Sequence, residues 1–281
     1  MCLCPCFFDK SFRDSLDFTF FPWYNCAKKE GICLTDMTPC SQKSFDNKIT
    51  VMTFNTQHCL NYLTGKIDFS AMAETILKFS PDIVGLNEMR GKGEHPEYTA
   101  QTEKLAELCG MPFFYFAKAL DVGGENPYGN AILSKIPIIS AETMLVPEPL
   151  EKIEGKHYEQ RCVLNAKLPN GMTVLVTHFG LSPEEQINSV KVLGELITDK
   201  RCILMGDFNV TPDSDIIIPI REKMKDTADS FSTPGLLSFP SDKPHCKIDY
   251  IFVSHDIKVD FADIPDVVAS DHRPHIAHIS L

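Results

Sequence analysis

Residues 173–209 read TVLVTHFGLSPEEQINSVKVLGELITDKRCILMGDFN. Thr173 to His178 is a short run rich in β-branched residues, the composition of a buried strand. Ser182-Pro183-Glu184-Glu185 follows as a capping box with proline at the first helical position. Ile187, Val190, Leu193 and Ile197 then recur at helical spacing and form the expected buried stripe. Cys202 to Met205 is a second apolar run, and it ends in Gly206-Asp207-Phe208-Asn209. A strand, a helix and a strand in succession make an α/β unit, and both strands release polar residues at their carboxyl ends.

The same alternation extends in both directions. Ile49 to Asn55 is strand-like, and Phe69, Met72, Ile76 and Phe79 repeat at helical spacing until Ser80-Pro81 stops them. A buried strand from Asp82 to Leu86 ends in Asn87-Glu88, and Thr99 to Cys109 reads as a helix closed by Gly110. Pro112–Lys118, Tyr128–Leu133, Ile138–Val146 and Arg161–Leu168 are successive strands, the last turning back through Pro169-Asn170-Gly171. Ile248–Val253 and His275–Leu281 complete the set. Consecutive strands without helices between them imply antiparallel pairing mixed with α/β units. The fold class is α/β, and the architecture that fits is a layered sandwich with helices outside two packed sheets, mixed and largely antiparallel.

The chain has 281 residues, 43% of them hydrophobic, enough for one large core. Its formal net charge is −11, which opposes nonspecific holding of long nucleic acid. Six of the 11 cysteines (Cys2, Cys4, Cys6, Cys26, Cys33 and Cys40) fall in the first 40 residues. Their spacing lacks the paired knuckles of a zinc site, so residues 1–47 read as a cysteine-rich leader outside the patterned fold, with Met37 an alternative start. S-acylation of Cys2, Cys4 or Cys6 is another use for it. The later five cysteines lie mostly in strand-like runs and read as buried thiols in a reducing compartment, hence a cytoplasmic protein, and a monomer is expected. No run approaches the length of a membrane span.

Asn55, Glu88, His178, Asp207 with Asn209, and Asp271 with His272 each stand just past the end of an apolar strand, where sheets of this kind bind ligands. Asp249 stands at the start of its strand, and an antiparallel neighbour would bring it to the same rim. Several carboxylates and amide oxygens without a close histidine pair suit a hard cation such as Mg²⁺, with Mn²⁺ as substitute. Two histidines beside them suit charge on a phosphate under attack by water. No G-x-S-x-G elbow points to a lipase or protease.

VMTFN at 51–55, PDIVGLNE at 81–88, YGNAILSKIPI at 128–138, LVTHF at 175–179, GDFNVTPDS at 206–214, KIDYIFVS at 247–254 and SDHRP at 270–274, in this order, resemble the endonuclease/exonuclease/phosphatase superfamily, in particular its compact bacterial members. The resemblance covers residues 48–281 and implies a four-layer αββα sandwich and metal-dependent cleavage of a phosphate ester by water. It implies that Glu88 holds the metal, with Asn55 and Asp271 near it. Asp207 would activate the water and Asn209 would position Asp207 or a phosphate oxygen. His272, oriented by Asp249, and His178 would contact the phosphate, with Asn130 and Arg161 as further substrate contacts.

Plainer roles stand beside these: a turn cap for Asn55, a buried acceptor for Asp249, a turn residue for Asn130, and a solvated strand-end charge for Arg161. Residues 48–281 carry 22 Lys and Arg against 32 Asp and Glu, a net −10. That surplus favours a phosphodiesterase for a small-molecule or lipid-headgroup ester. A nuclease and a noncatalytic interaction protein are the alternatives.

Overall fold

The computed structural model describes residues 47–230 and 236–281. The expectation for the leader falls outside the described residues.

The chain first lays down β1 (Lys48–Asn55), the small hairpin β2 (Leu60–Asn61) and β3 (Lys66–Ile67), α1 (Phe69–Phe79), β4 (Ile83–Arg90), α2 (Gln101–Cys109), β5 (Phe113–Asp121) and β6 (Pro127–Ser134). It then crosses to β7 (Ser140–Leu145), β8 (Cys162–Lys167), β9 (Thr173–His178), α3 (Pro183–Leu196), β10 (Cys202–Asp207), α4 (Ile218–Lys223), β11 (Met224–Asp226) and β12 (Asp249–Ser254). It returns with β13 (Lys258–Asp263) and β14 (His275–Ser280). The strands form two six-stranded sheets, in the orders β13-β14-β1-β4-β6-β5 and β11-β12-β10-β9-β8-β7. Each sheet is mixed: β1 and β4 are parallel in the first, β9 and β10 in the second, and the other pairs are antiparallel.

Period-2 alternation explains the layers. Met52, Phe54, Val84, Leu86, Ala131 and Leu133 pack with Met72, Ile76, Leu105 and Cys109 of α1 and α2. Leu175, Cys202, Leu204, Tyr250 and Phe252 pack with Leu193 and Ile220 of α3 and α4. The alternate residues of both sheets face one another. Their spacing is tight, since a Cβ at Gly85 would stand 2.6 Å from the Met205 sulfur and 3.1 Å from Val176. The result is the expected αββα sandwich.

Buried amides lock the two sheets together. Asn87 Nδ2 donates to Thr177 O across the interface at 2.8 Å and to Asn130 Oδ1 at 2.9 Å, while Asn130 Nδ2 donates to Cys162 O at 3.0 Å. Cys59, Cys109, Cys162 and Cys202 are buried free thiols, and Cys246 is partly exposed.

The α3 stripe differs from its expectation. Ile187 is 45% exposed, whereas Gln186 and Ser189 are buried. The first turn of α3 holds loops instead of filling a core: Gln186 Nε2 donates to Gly180 O and Asn209 O, and Glu185 completes the capping box with Ser182. No described helix is long and apolar enough to cross a membrane.

Candidate active site

Backbone pairing puts three of the singled-out residues side by side. In β10, Asp207 is in register with His178 of β9 and with Asp249 of β12. The close fit is set by Gly206, whose φ is +147° and whose Cβ, if present, would stand 1.8 Å from Thr177 O. After the strand Asn209 turns back with φ +50°, donates its N–H to Asp207 Oδ1 at 2.9 Å and anchors its amide on Phe179 O at 2.9 Å. His272 comes from the loop before β14, and its Nδ1 lies 2.8 Å from Asp249 Oδ2. Phe239 packs against its ring at 4.8 Å between centroids.

The first sheet supplies the other half. Asn55 ends β1 in register with Asn87 of β4. The pairing of β4 with β6 slips between Leu86 and Met89, and Glu88 takes φ +61°, a left-handed conformation costly for a side chain with a Cβ. Leu86 and Met89 therefore both serve the helix-side core. Asn87 and Glu88 are both released toward the rim between the sheets. Asn55 Nδ2 then donates to Glu88 Oε1 at 3.0 Å and to Asp207 Oδ2 at 3.1 Å, tying the acids of the two sheets through one amide group. Its oxygen is held by the Gln57 N–H at 3.1 Å. Tyr128 also hydrogen-bonds to Glu88.

Burial decides the charges. It pushes Asp207 up to about 7, with Asp249 adding to the rise and His272, the Asn209 N–H and Asn55 opposing it. Burial alone would lower His272, but Asp249 and Asp207 beside it raise it to about 10, so the ring is cationic at neutral pH. His178 goes the other way, held well below its ordinary value by burial and by the charges of Arg161 and His272. Glu88 is raised by burial and by nearby Asp271, against Asn55, His272 and Tyr128. His178 Nε2 and His272 Nε2 stand 3.4 and 3.7 Å from the same oxygen, Asp207 Oδ2.

Asn55, Glu88, His178, Asp207, Asn209, Asp249 and His272 thus share one rim. Asp271 adjoins it through its field on Glu88, and its Oδ1 accepts from Ser270 Oγ at 3.0 Å. Arg161 reaches His178 Nδ1 at 2.9 Å. Asn130 lies beneath, both ends of its amide engaged between the sheets. Asp207, Asp249 and His272 are close enough to hold a metal, their ligand atoms all within 4.8 Å of one another. Within that group His272 Nδ1 and Asp249 Oδ2 are occupied with each other.

Asn87 and Tyr128 were not singled out by sequence. An asparagine closing an apolar strand run was the available signal for the first, and its side chain is fully buried.

The sequence model described as "Endonuclease/Exonuclease/phosphatase family" matches residues 52–272. The chain belongs to this family. Among solved endonuclease/exonuclease/phosphatase structures it is similar to one from Beutenbergia cavernae, at 23% identity over 83% of this chain and 72% of that one, with a TM-score of 0.71. A mannosyl-6-phosphatase from Bacteroides thetaiotaomicron is similar at 16% identity, over 83% and 100% of the two chains, with a TM-score of 0.64. ANGEL2, a 2',3'-cyclic phosphatase solved with adenosine-2',3'-vanadate, is similar at 16%, over 83% and 96%, with a TM-score of 0.61. At these identities the structures establish the fold. No curated protein matches the chain. Members of the family are phosphoric ester hydrolases, and this chain is a hydrolase of that general kind.

Proposed function

We propose that the protein is a divalent-metal-dependent phosphodiesterase that cleaves a small-molecule or lipid-headgroup phosphate ester. The observation that carries this reading is the setting of Asp207, a buried carboxylate raised to about 7 with two imidazole nitrogens 3.4 and 3.7 Å from one of its oxygens. A base poised near neutrality is what removal of a proton from water requires. His272, a cation steadied by Asp249, and neutral His178 are the donors for charge that gathers on the phosphoryl oxygens.

Glu88 and Asp271 are the residues we assign to a divalent cation, with Asn55 orienting Glu88. Their chemistry fits it: Glu88 is raised by burial and by the charge of Asp271 beside it, a penalty that a cation would offset. A divalent cation held by Glu88 and Asp271, Mg²⁺ or Mn²⁺, would supply Lewis-acid polarisation of the phosphate. Water attacks phosphorus, Asp207 accepts its proton, and the departing ester oxygen leaves on the far side.

The charge balance supports a diester. The guanidinium of Arg161 is paired with Glu159 at 2.8 Å and His272 with Asp249, while Asp207, Glu88 and Asp271 add further acid. A monoanionic diester meets less repulsion there than a dianionic monoester. Between the loops after β4 and β5, an open groove of about 510 Å³ lined by Lys92, Glu94, Lys118, Asp121 and Glu125 is of mixed sign, unlike a track for a polyanion.

Hydrolysis of a chromogenic phosphodiester and of its monoester, with Mg²⁺, with Mn²⁺ and with chelator, tests the reading. Chelator-sensitive turnover of the diester, without nicking of supercoiled plasmid, is the expected result. Nicking at low protein concentration would transfer the assignment to a nuclease, and metal-independent turnover would remove the proposed mechanism.

A further inference from the structure

Arg161 enters the site from the residue before β8, and two of its nitrogens are occupied. Nη2 pairs with Glu159 Oε2 at 2.8 Å and Nη1 lies 2.9 Å from His178 Nδ1. Guanidinium is a donor only, so the His178 Nδ1 facing it must offer a lone pair. The ring proton then sits on Nε2, the nitrogen nearest Asp207. The neighbouring backbone is secured as well, because Glu159 N–H donates to Glu185 Oε1 at 3.0 Å and Glu185 is fixed by the α3 capping box.

We propose that Arg161 is a positioning residue that holds His178 as the neutral Nε2–H tautomer and thereby keeps Asp207 available as a base. The reasoning is one of competition for charge. A second imidazolium 3.4 Å from Asp207 Oδ2 would join His272 in neutralising that carboxylate and leave it a poor proton acceptor. Burial already disfavours that charge, and Arg161 adds a permanent cation where the extra proton would have to go. The site retains one cationic donor, His272, and one neutral donor, His178, around a basic Asp207. This role deepens the phosphodiesterase reading and rests on it for its catalytic meaning, whereas the tautomer itself does not depend on any substrate.

The test is long-range ¹H–¹⁵N correlation of the histidine rings in the full-length protein at neutral pH, with His178 identified from the spectrum of His178→Gln. Wild type should show His178 neutral with its proton on Nε2. Arg161→Met should convert that signal to a doubly protonated ring or a tautomer mixture, and Arg161→Lys, which keeps a donor, should restore part of the wild-type pattern. On the chromogenic diester Arg161→Met should lower kcat by about 10–100-fold with KM within about two-fold. A proton on Nδ1 in wild type, or an unchanged His178 signal in Arg161→Met, overturns the proposal. So does a raised KM with kcat unchanged, which would make Arg161 a direct phosphate contact. If Arg161→Met fails to fold, Glu159→Gln releases the guanidinium from its anchor and must broaden or shift the same signal. A wild-type Nε2–H signal in a protein that turns over no diester would count against the phosphodiesterase reading and leave the tautomer standing.

Discussion

Asn87 and Asp207 stand 120 positions apart in the chain, on different sheets, and the side-chain oxygen of the first accepts the backbone N–H of the second at 2.9 Å. The residue read as the base is thus positioned by the opposite sheet. Asn87→Ala would strand that N–H, the Thr177 carbonyl and the Asn130 oxygen in a dry interface. Each such loss costs ~1–3 kcal/mol, so the three together imply a destabilisation of roughly 3–9 kcal/mol in urea unfolding. Turnover should drop as well, and a variant as stable and active as wild type would show that the tie carries little.

Asp207→Asn and His272→Ala should each reduce diester turnover by ~10²–10⁴-fold while circular dichroism stays native. Near-normal rates in either would remove it from the proposed chemistry.

Stability should respond to pH with a definite sign. The folded state raises Asp207 from 3.8 to about 7, so it holds a proton there that the unfolded chain has released. The stabilising contribution is complete below the unfolded value and is lost as pH climbs through about 7. Asp207→Asn removes that loss, and its melting temperature relative to wild type should therefore be higher at pH 8 than at pH 5. An equal difference at both pH values would contradict the raised carboxyl.

Activity should rise with pH through the ionisation of Asp207, at about 7 or below once a cation near Glu88 favours the carboxylate. It should fall again as His272 loses its proton near 10. The limb to examine is the alkaline one, in log(kcat/KM) against pH, and its disappearance in a His272→Gln protein of residual activity would assign it.

Millimolar Mg²⁺ should raise the melting temperature of the wild-type protein, by the equivalent of ~2.7 kcal/mol at a hundredfold excess over the dissociation constant. Glu88→Gln should abolish most of the shift. Retention of the full shift would move the cation elsewhere, with Asp207, Asp249 and His272 the next residues to test.

Strand ends were legible in the sequence because an apolar run that stops on Asn55, His178 or Asp207 signals both the strand and its exit. The family motifs then supplied order. Short elements escaped: β11 has three residues and α4 six, too few for a period to show. The exposed Ile187 misled for a related reason, since helical spacing identifies a stripe but not which side of it meets the core. The role of Asn87 and the tautomer of His178 were beyond the sequence in a stronger sense. The first depends on contact between the two sheets and the second on the register of the β8–β9 pair, and neither exists before the strands are in place.

The bulge in β4 is a matter of counting. A regular strand would send every second side chain to the same layer, and Leu86, Glu88 and Arg90 would travel together toward the helices. The slipped pairing changes the phase after Leu86, so that Met89 fills the oily side and Glu88 does not. Loops absorb insertions and deletions, but this stretch lacks that tolerance. Loss of Glu88 alone would leave a smoother strand, keep Leu86 and Met89 in phase for the core, and remove the first sheet's carboxylate from the rim. An active copy of this fold and an inert one can differ by the length of a single strand.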